Sequence, residues 1–366
     1  MSLLHPLLTI IGLAALAAAA AYALLGLIAV TVWRLRRPAA AALPLPAVTV
    51  LKPVCGAEPG LYEHLRSFCE QDSPAFQIVF GVRDRTDPAL AVVRRLASQY
   101  PSVPIDVVVN PQQHGSNAKV SNLINMLGAA RHDVLVVADS DTFVGSDYLA
   151  TVTAPLQDPG VGLVTCIYRD VPTAGIWSRL GAMYINEWYM PSVLLAWLFG
   201  FRGYASGQTL CLRRSTLQAI GGLAAIANHL ADDYKMGELI RRSGHRIVMS
   251  PAPVWAQHHE PDLDSLTRHE LRWMRTIQVL RAHSFRLLFV TFSLPLAALG
   301  LLLAATDPAW GKPALLLFLI TLLARLALHF AHRRSPARML FSDLWLLPLR
   351  DLLLCWAWYR SFFTSR

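Results

Sequence analysis

Val134-Leu135-Val136-Val137-Ala138-Asp139-Ser140-Asp141 is an unbroken apolar run that stops on two carboxylates one residue apart. Its length and β-branched content fit a strand buried on both faces, as in a parallel sheet. The same alternation continues upstream. Strands are expected at 48–51, 77–82 and 105–109, with helices at 61–70, 88–100 and 117–130 between them. Strands separated by helices imply an α/β domain with a mostly parallel, Rossmann-like sheet. Ligands of such sheets collect beyond the carboxyl ends of the strands. Each of those ends turns polar here: Asp84 after the second strand, residues 114–119 after the third, and Asp139 with Asp141 after the fourth.

These ends have readable chemistry. Two carboxylates at a strand terminus are hard oxygen donors suited to Mg²⁺ or Mn²⁺ on a diphosphate; the same residues also serve as a turn and a helix cap. Asp232-Asp233-Tyr234 opens a second helical pattern. One of its carboxylates can act as general base toward a hydroxyl, or both can simply favour a helix N-terminus. His114-Gly-Ser-Asn117-Ala-Lys119 puts a glycine and polar donors at a helix start, where a phosphate binds or where Ser116 or Asn117 caps the helix. Asp84 has the position to accept hydrogen bonds from a uracil or ribose. Arg272-Trp273 joins a guanidinium, able to fork onto a diphosphate, with an indole that equally anchors at a membrane surface. His258 and His259 do not have the i, i+4 spacing of a helical metal pair.

The composition is that of a hybrid: 54% apolar residues over 366, with a net charge of +9. The apolar excess lies at the ends. Residues 7–33 carry no charged side chain and exceed the ~20 needed to cross a bilayer core. Arg34, Arg36 and Arg37 follow in place of a small-residue cleavage site, so this run reads as an uncleaved anchor with the following chain in the cytoplasm. Runs at 287–305 and 314–329 read as a hairpin turning at Asp307-Pro308 and returning to a basic loop at 332–338. The segment 339–363 carries Arg350 beside Asp351, which lipid tolerates only if they are paired or face a polar cavity. The apolar, aromatic stretch 190–204 suits either the membrane interface or a globular core. Arginines flank the apolar runs, so the basic balance is explained by anionic lipid head groups without nucleic acid. The five cysteines show no C-x-x-C spacing, so neither a zinc site nor a disulfide framework is suggested. The turn Lys52-Pro-Val-Cys-Gly56 lacks the glycine pattern of a dinucleotide-binding enzyme. A polymer-secreting synthase would need more spanning helices.

The order Asp84, Gly115-Ser-Asn-Ala-Lys119, Asp139-Ser-Asp141, Asp232-Asp233-Tyr234, Arg272-Trp273 resembles the ceramide glucosyltransferase-like family of GT-A glycosyltransferases. Leu51-Lys-Pro-Val-Cys-Gly-Ala-Glu-Pro59, Gly115-Ser-Asn-Ala-Lys-Val-Ser-Asn-Leu123 and His269-Glu-Leu-Arg-Trp273 look most like the bacterial hopanoid-biosynthesis glycosyltransferases. That resemblance implies a GT-A domain at 48–284 behind an anchor (1–33) and linker (34–47), with a membrane region at 285–366. It implies inverting transfer of a sugar, N-acetylglucosamine from UDP-N-acetylglucosamine, to a hydroxyl of bacteriohopanetetrol at a bacterial inner membrane; the alternative is glucosyl transfer from UDP-glucose to ceramide. Asp233 would be the base and Asp139 with Asp141 would hold a divalent cation. Asp84, Lys119, Asn117, Pro53, Glu58, Asp232, Arg272 and Trp273 would contact substrates. His269 departs from the Gln or Arg that begins the family's last motif.

Overall fold

The computed structural model describes residues 4–37, 44–173, 175–331 and 341–363. Most of the linker at 38–46 and all of the basic loop at 332–338 lie outside them. Packing divides the chain into two units that interleave in sequence: Arg36–Arg169 with Gly200–His259, and Met1–Leu35 with Asp170–Phe199 and Glu260–Arg366. Parts of the expected 48–284 domain, at 170–199 and 260–284, therefore pack with the terminal helices.

The first unit is built on an eight-stranded sheet: β1 (Val48–Pro53), β2 (Phe76–Val82), β3 (Ile105–Val109), β4 (Val134–Val137), β5 (Thr142–Val144), β6 (Val161–Asp170), β7 (Leu210–Arg213) and β8 (Arg246–Ala256). The order is β3-β2-β1-β4-β7-β6-β8-β5. The four strands foreseen from the alternating pattern pair in parallel, with Val48 opposite Phe76 and Val134. The later strands add antiparallel pairs, β4 with β7, β6 with β7 and β5 with β8, so the sheet as a whole is mixed. Leu51, Val79, Leu135 and Val137 are buried on one face against Val120, Leu123 and Met126 of the Ala118–Leu127 helix. The carboxyl ends of β2, β1 and β4 thus share one edge.

The second unit contains two helices long and apolar enough to cross a bilayer, His5–Leu35 and Gly311–Ala331. Leu16 and Ala19 of the first pack on Ala297, Ala304 and Ala314. The crossing is close: a Cβ on Gly12 would lie 2.7 Å from the Gly300 carbonyl oxygen, the small-residue contact by which apolar helices approach in lipid. The expected hairpin is asymmetric. Its first arm is a helix only from Ser293 to Ala304, 12 residues, because Pro295 has no N–H to continue a helix from upstream and clashes with the preceding turn. Residues 190–204 begin as the Met190–Leu198 helix, which packs in this unit, with Ser192 Oγ 2.6 Å from the Tyr22 hydroxyl.

Arg350 and Asp351, side by side on the Leu346–Ser361 helix, are both buried and both paired. Arg350 grips Glu270 with a 2.6 Å bond from Nη2 and also donates to the Leu180 carbonyl. Asp351 accepts from Arg325 at 3.1 Å, and Arg325 bonds Glu187 as well.

Candidate active site

Asp139 is the second residue past β4, and its carboxylate points at the lysine that follows β3: Lys119 Nζ stands 2.6 Å from Asp139 Oδ1. Asn117 starts the helix that carries this lysine. Its side-chain oxygen accepts from the Val120 N–H at 3.1 Å while its amide donates to the His229 carbonyl, so its role here is a cap and a tether.

The second acidic pair arrives from the far end of the unit. Asp232 Oδ2 lies 3.6 Å from the same Lys119 Nζ. That oxygen is buried and has no hydrogen-bond donor among the described residues. Asp233 is held by two backbone donors, Gly207 N–H to Oδ2 at 3.1 Å and its neighbour Tyr234 N–H to Oδ1 at 2.7 Å. Gly207 is the floor of this arrangement: a Cβ there would sit 2.8 Å from both Asp139 Oδ2 and Lys119 Nζ. Asp139, Asp232 and Asp233 thus converge around one lysine and one glycine.

The electrostatics follow from that crowding. Burial, reinforced by Asp232, raises the Asp233 pKa to about 6, against the opposing pull of Lys119 and of the Tyr234 N–H. Burial works against the Lys119 charge, but Asp139 and Asp232 more than offset it and hold the pKa well above the usual lysine value. Asp84 lies past the end of β2, a strand two spacings, roughly 10 Å, from β4. It is exposed, and hydrogen bonds from the Thr86 N–H and hydroxyl, each 2.8 Å, lower its pKa.

Asp141 faces the other way, toward β8. Its Oδ2 is 3.2 Å from His258 Nε2, and its carbonyl accepts from the Gln257 N–H. Cys55, Gly56, Glu58, Leu61 and His64 line a small cleft with Ser140 and Asp141; Glu58 is exposed at its rim and Pro53 ends β1 beside it. Beneath the turn lies Lys52, fully buried, donating to the Asp139 carbonyl at 2.6 Å. Burial lowers its pKa to about 7 against the attraction of Asp141 and Asp139.

A divalent cation fits this donor set only where a further ligand shares it. No group of three His, Cys, Asp or Glu side chains that could hold a metal stands together among the described residues. Asp141 with His258 would supply two donors to such a cation, and a bound anion would have to supply the rest. Arg272 and Trp273 belong to the other unit, on the Leu263–Leu280 helix. Arg272 is exposed, whereas Trp273 lies 5.0 Å from the Tyr184 ring and 4.0 Å from the His269 ring, whose Nδ1 is 2.7 Å from buried Glu260.

Sequence reasoning missed Lys52, Gly207 and the Asp141–His258 pairing. A lysine inside an otherwise apolar strand was the signal for the first. The pairing of β5 with β8, which carries His258 to Asp141, has no local signature.

An edge where acidic residues meet beyond parallel strands, in a sheet whose second half is antiparallel, defines a GT-A fold. The mannosyltransferase PcManGT from Pyrobaculum calidifontis, solved in complex with GDP-Man and Mn²⁺, has this fold: 98% of this chain and 100% of that one superpose with a TM-score of 0.56 at 20% identity. The model of glycosyl transferase family 21 matches residues 11–366, and the chain belongs to that family. It is 25% identical to ceramide glucosyltransferase 1 of Caenorhabditis elegans over 232 residues, 63% of this chain and 50% of that protein, so it spans half the relative's length. It is 24% identical over 344 residues, 85% of this chain and 80% of the other, to an N-acetylglucosaminyltransferase of Rhizobium meliloti (strain 1021).

Proposed function

We propose that this chain is an inverting glycosyltransferase that moves a sugar from a nucleotide donor to a hydroxyl of a membrane lipid, with Asp233 as the general base. The observation that carries the reading is Asp233 itself: a carboxylate pinned by two N–H donors, with its pKa raised to about 6, beside the Asp139–Lys119 pair at the carboxyl edge of the sheet. A base of that pKa is largely ionised at neutral pH yet basic enough to take a proton in the transition state. The lipid oxygen attacks the anomeric carbon while its proton passes to Asp233, and the bond from that carbon to the nucleotide phosphate breaks with inversion.

Lys119 supplies a positive charge for the departing diphosphate, and Asp232 Oδ2, a buried acceptor lacking a donor, suits a sugar hydroxyl. Asp84 contacts the nucleoside, and Pro53, Glu58, Asn117, Arg272 and Trp273 remain proposed substrate residues from the family motifs. A divalent cation, held by Asp141 and His258, would stabilise charge on the leaving group electrostatically; Asp139, the other proposed ligand, is turned toward Lys119 in this structure. The Mn²⁺ in the fold neighbour supports that reading.

The donor is proposed to be UDP-N-acetylglucosamine and the acceptor bacteriohopanetetrol. The Rhizobium meliloti relative supports the sugar, and the hopanoid-type sequence stretches support the lipid. The long apolar helices support membrane association, and Arg34, Arg36 and Arg37 support the cytoplasmic face of what is proposed to be a bacterial inner membrane. A second reading, glucosyl transfer to ceramide, is supported by 34% identity over 116 residues, 30% of this chain and 23% of the relative, to the ceramide glucosyltransferase of Komagataella phaffii (strain GS115 / ATCC 20864). Mass spectrometry of lipids from a host expressing the gene, fed each acceptor in turn, separates them. A hexosamine adduct of bacteriohopanetetrol is expected; a hexose adduct of ceramide alone would favour the second reading.

A further inference from the structure

We infer that Lys52 is a positioning residue that fixes the Asp139-Ser140-Asp141 turn in the shape that the cation and the donor diphosphate require; this rests on the transferase reading above. Lys52 is 0% exposed, and an ammonium group removed from water is unfavourable unless its surroundings compensate. The compensation is in main-chain oxygens. Nζ donates to the Asp139 carbonyl at 2.6 Å and to the Thr142 carbonyl at 3.4 Å, and it lies 3.8 Å from the centre of the Phe68 ring. Those two carbonyls bracket the turn.

The register explains why this residue reaches them. Leu51 pairs with Val137, the last residue of β4, so Lys52 stands level with Ala138, the residue just before the turn. From the opposite side the Gln257 N–H holds the Asp141 carbonyl at 3.2 Å. The turn is thus held from two strands, and its carboxylates diverge: Asp139 toward Lys119 and Asp141 toward His258. A side chain that merely filled this space would do so better without a charge, since a methionine of similar length packs there with no desolvation penalty. The lysine adds two hydrogen bonds to the turn's main-chain oxygens, which set where its carboxylates aim.

The test uses the full-length protein in detergent, with Mn²⁺ as probe. Free Mn²⁺ is followed by electron paramagnetic resonance in the presence of UDP, for wild type and Lys52→Met, alongside KM for each substrate. Outer-shell partners of a metal site typically change metal affinity by about 10- to 100-fold. Lys52→Met is expected to weaken Mn²⁺ binding and raise the donor KM in that range, leave the lipid KM unchanged, and shift Tm by only a few degrees. Lys52→Arg should recover part of the loss. Should the methionine variant fail to fold, Lys52→Gln keeps one donor and should show an intermediate loss. Mn²⁺ affinity equal to wild type in a folded Lys52→Met or Lys52→Gln protein would overturn the inference. Failure of the wild type to bind Mn²⁺ with UDP would also overturn it by removing the cation site, whereas absence of sugar transfer by the wild type would overturn the transferase reading beneath it.

Discussion

As the proposed base, Asp233 must be ionised to accept a proton, and burial raises its pKa to about 6, so kcat/KM should climb with pH through about 6 and level off above it. Asp233→Asn should lower kcat by about 10²- to 10⁴-fold and abolish that acid limb, read by a pH-rate profile. Lys119 pulls the Asp233 pKa down against the effect of burial. Removing it in Lys119→Met should therefore move the limb to higher pH, and an unmoved or lower midpoint would mean the two groups are not coupled. Gly207→Ala is expected to inactivate with little change in Tm, because the added carbon falls on Asp139 and Lys119 and not on the core. At this scale the sequence was informative about carboxylates and silent about their neighbours. Asp139 was legible because an apolar run can stop on acids only where solvent or a ligand begins. Lys119 at a helix start was legible too, but its meeting with Asp232 depends on a return of the chain more than 100 residues later.

At the scale of elements, Asn117→Ala should remove the cap of the Ala118–Leu127 helix and lower stability by about 1 kcal/mol, measured by thermal unfolding. If activity fell far more than that loss explains, Asn117 would contact substrate as well. Arg350→Met strands Glu270 as an unpaired buried charge, and a loss of about 3 to 5 kcal/mol is expected. Restoring neutrality with Glu270→Gln in the same chain should return part of it. The parallel strands and their helices were legible because each is a local pattern of period 2 or 3.6 bounded by turn residues. The antiparallel strands β6, β7 and β8 were not: their pairing is non-local, and Pro251 and Pro253 inside β8 disguise it as loop. The hairpin arm was overread because hydropathy counts apolar residues and takes no account of Pro295.

For the whole molecule, the interleaving of two units means that catalytic and apolar segments alternate along the chain, and no single cut separates them. The acids sit in one unit and Arg272 with Trp273 in the other, so the family's motif order was readable in one dimension while its distribution over two units was not. The central claim is that Asp233 serves as base for sugar transfer to a lipid. Its most direct measurement is incubation of purified protein with radiolabelled UDP-N-acetylglucosamine, Mn²⁺ and bacteriohopanetetrol, with label counted in the organic phase. Wild type should transfer label, chelation of the cation should stop it, and Asp233→Asn should leave the organic phase at background. Transfer by Asp233→Asn at the wild-type rate would contradict the claim.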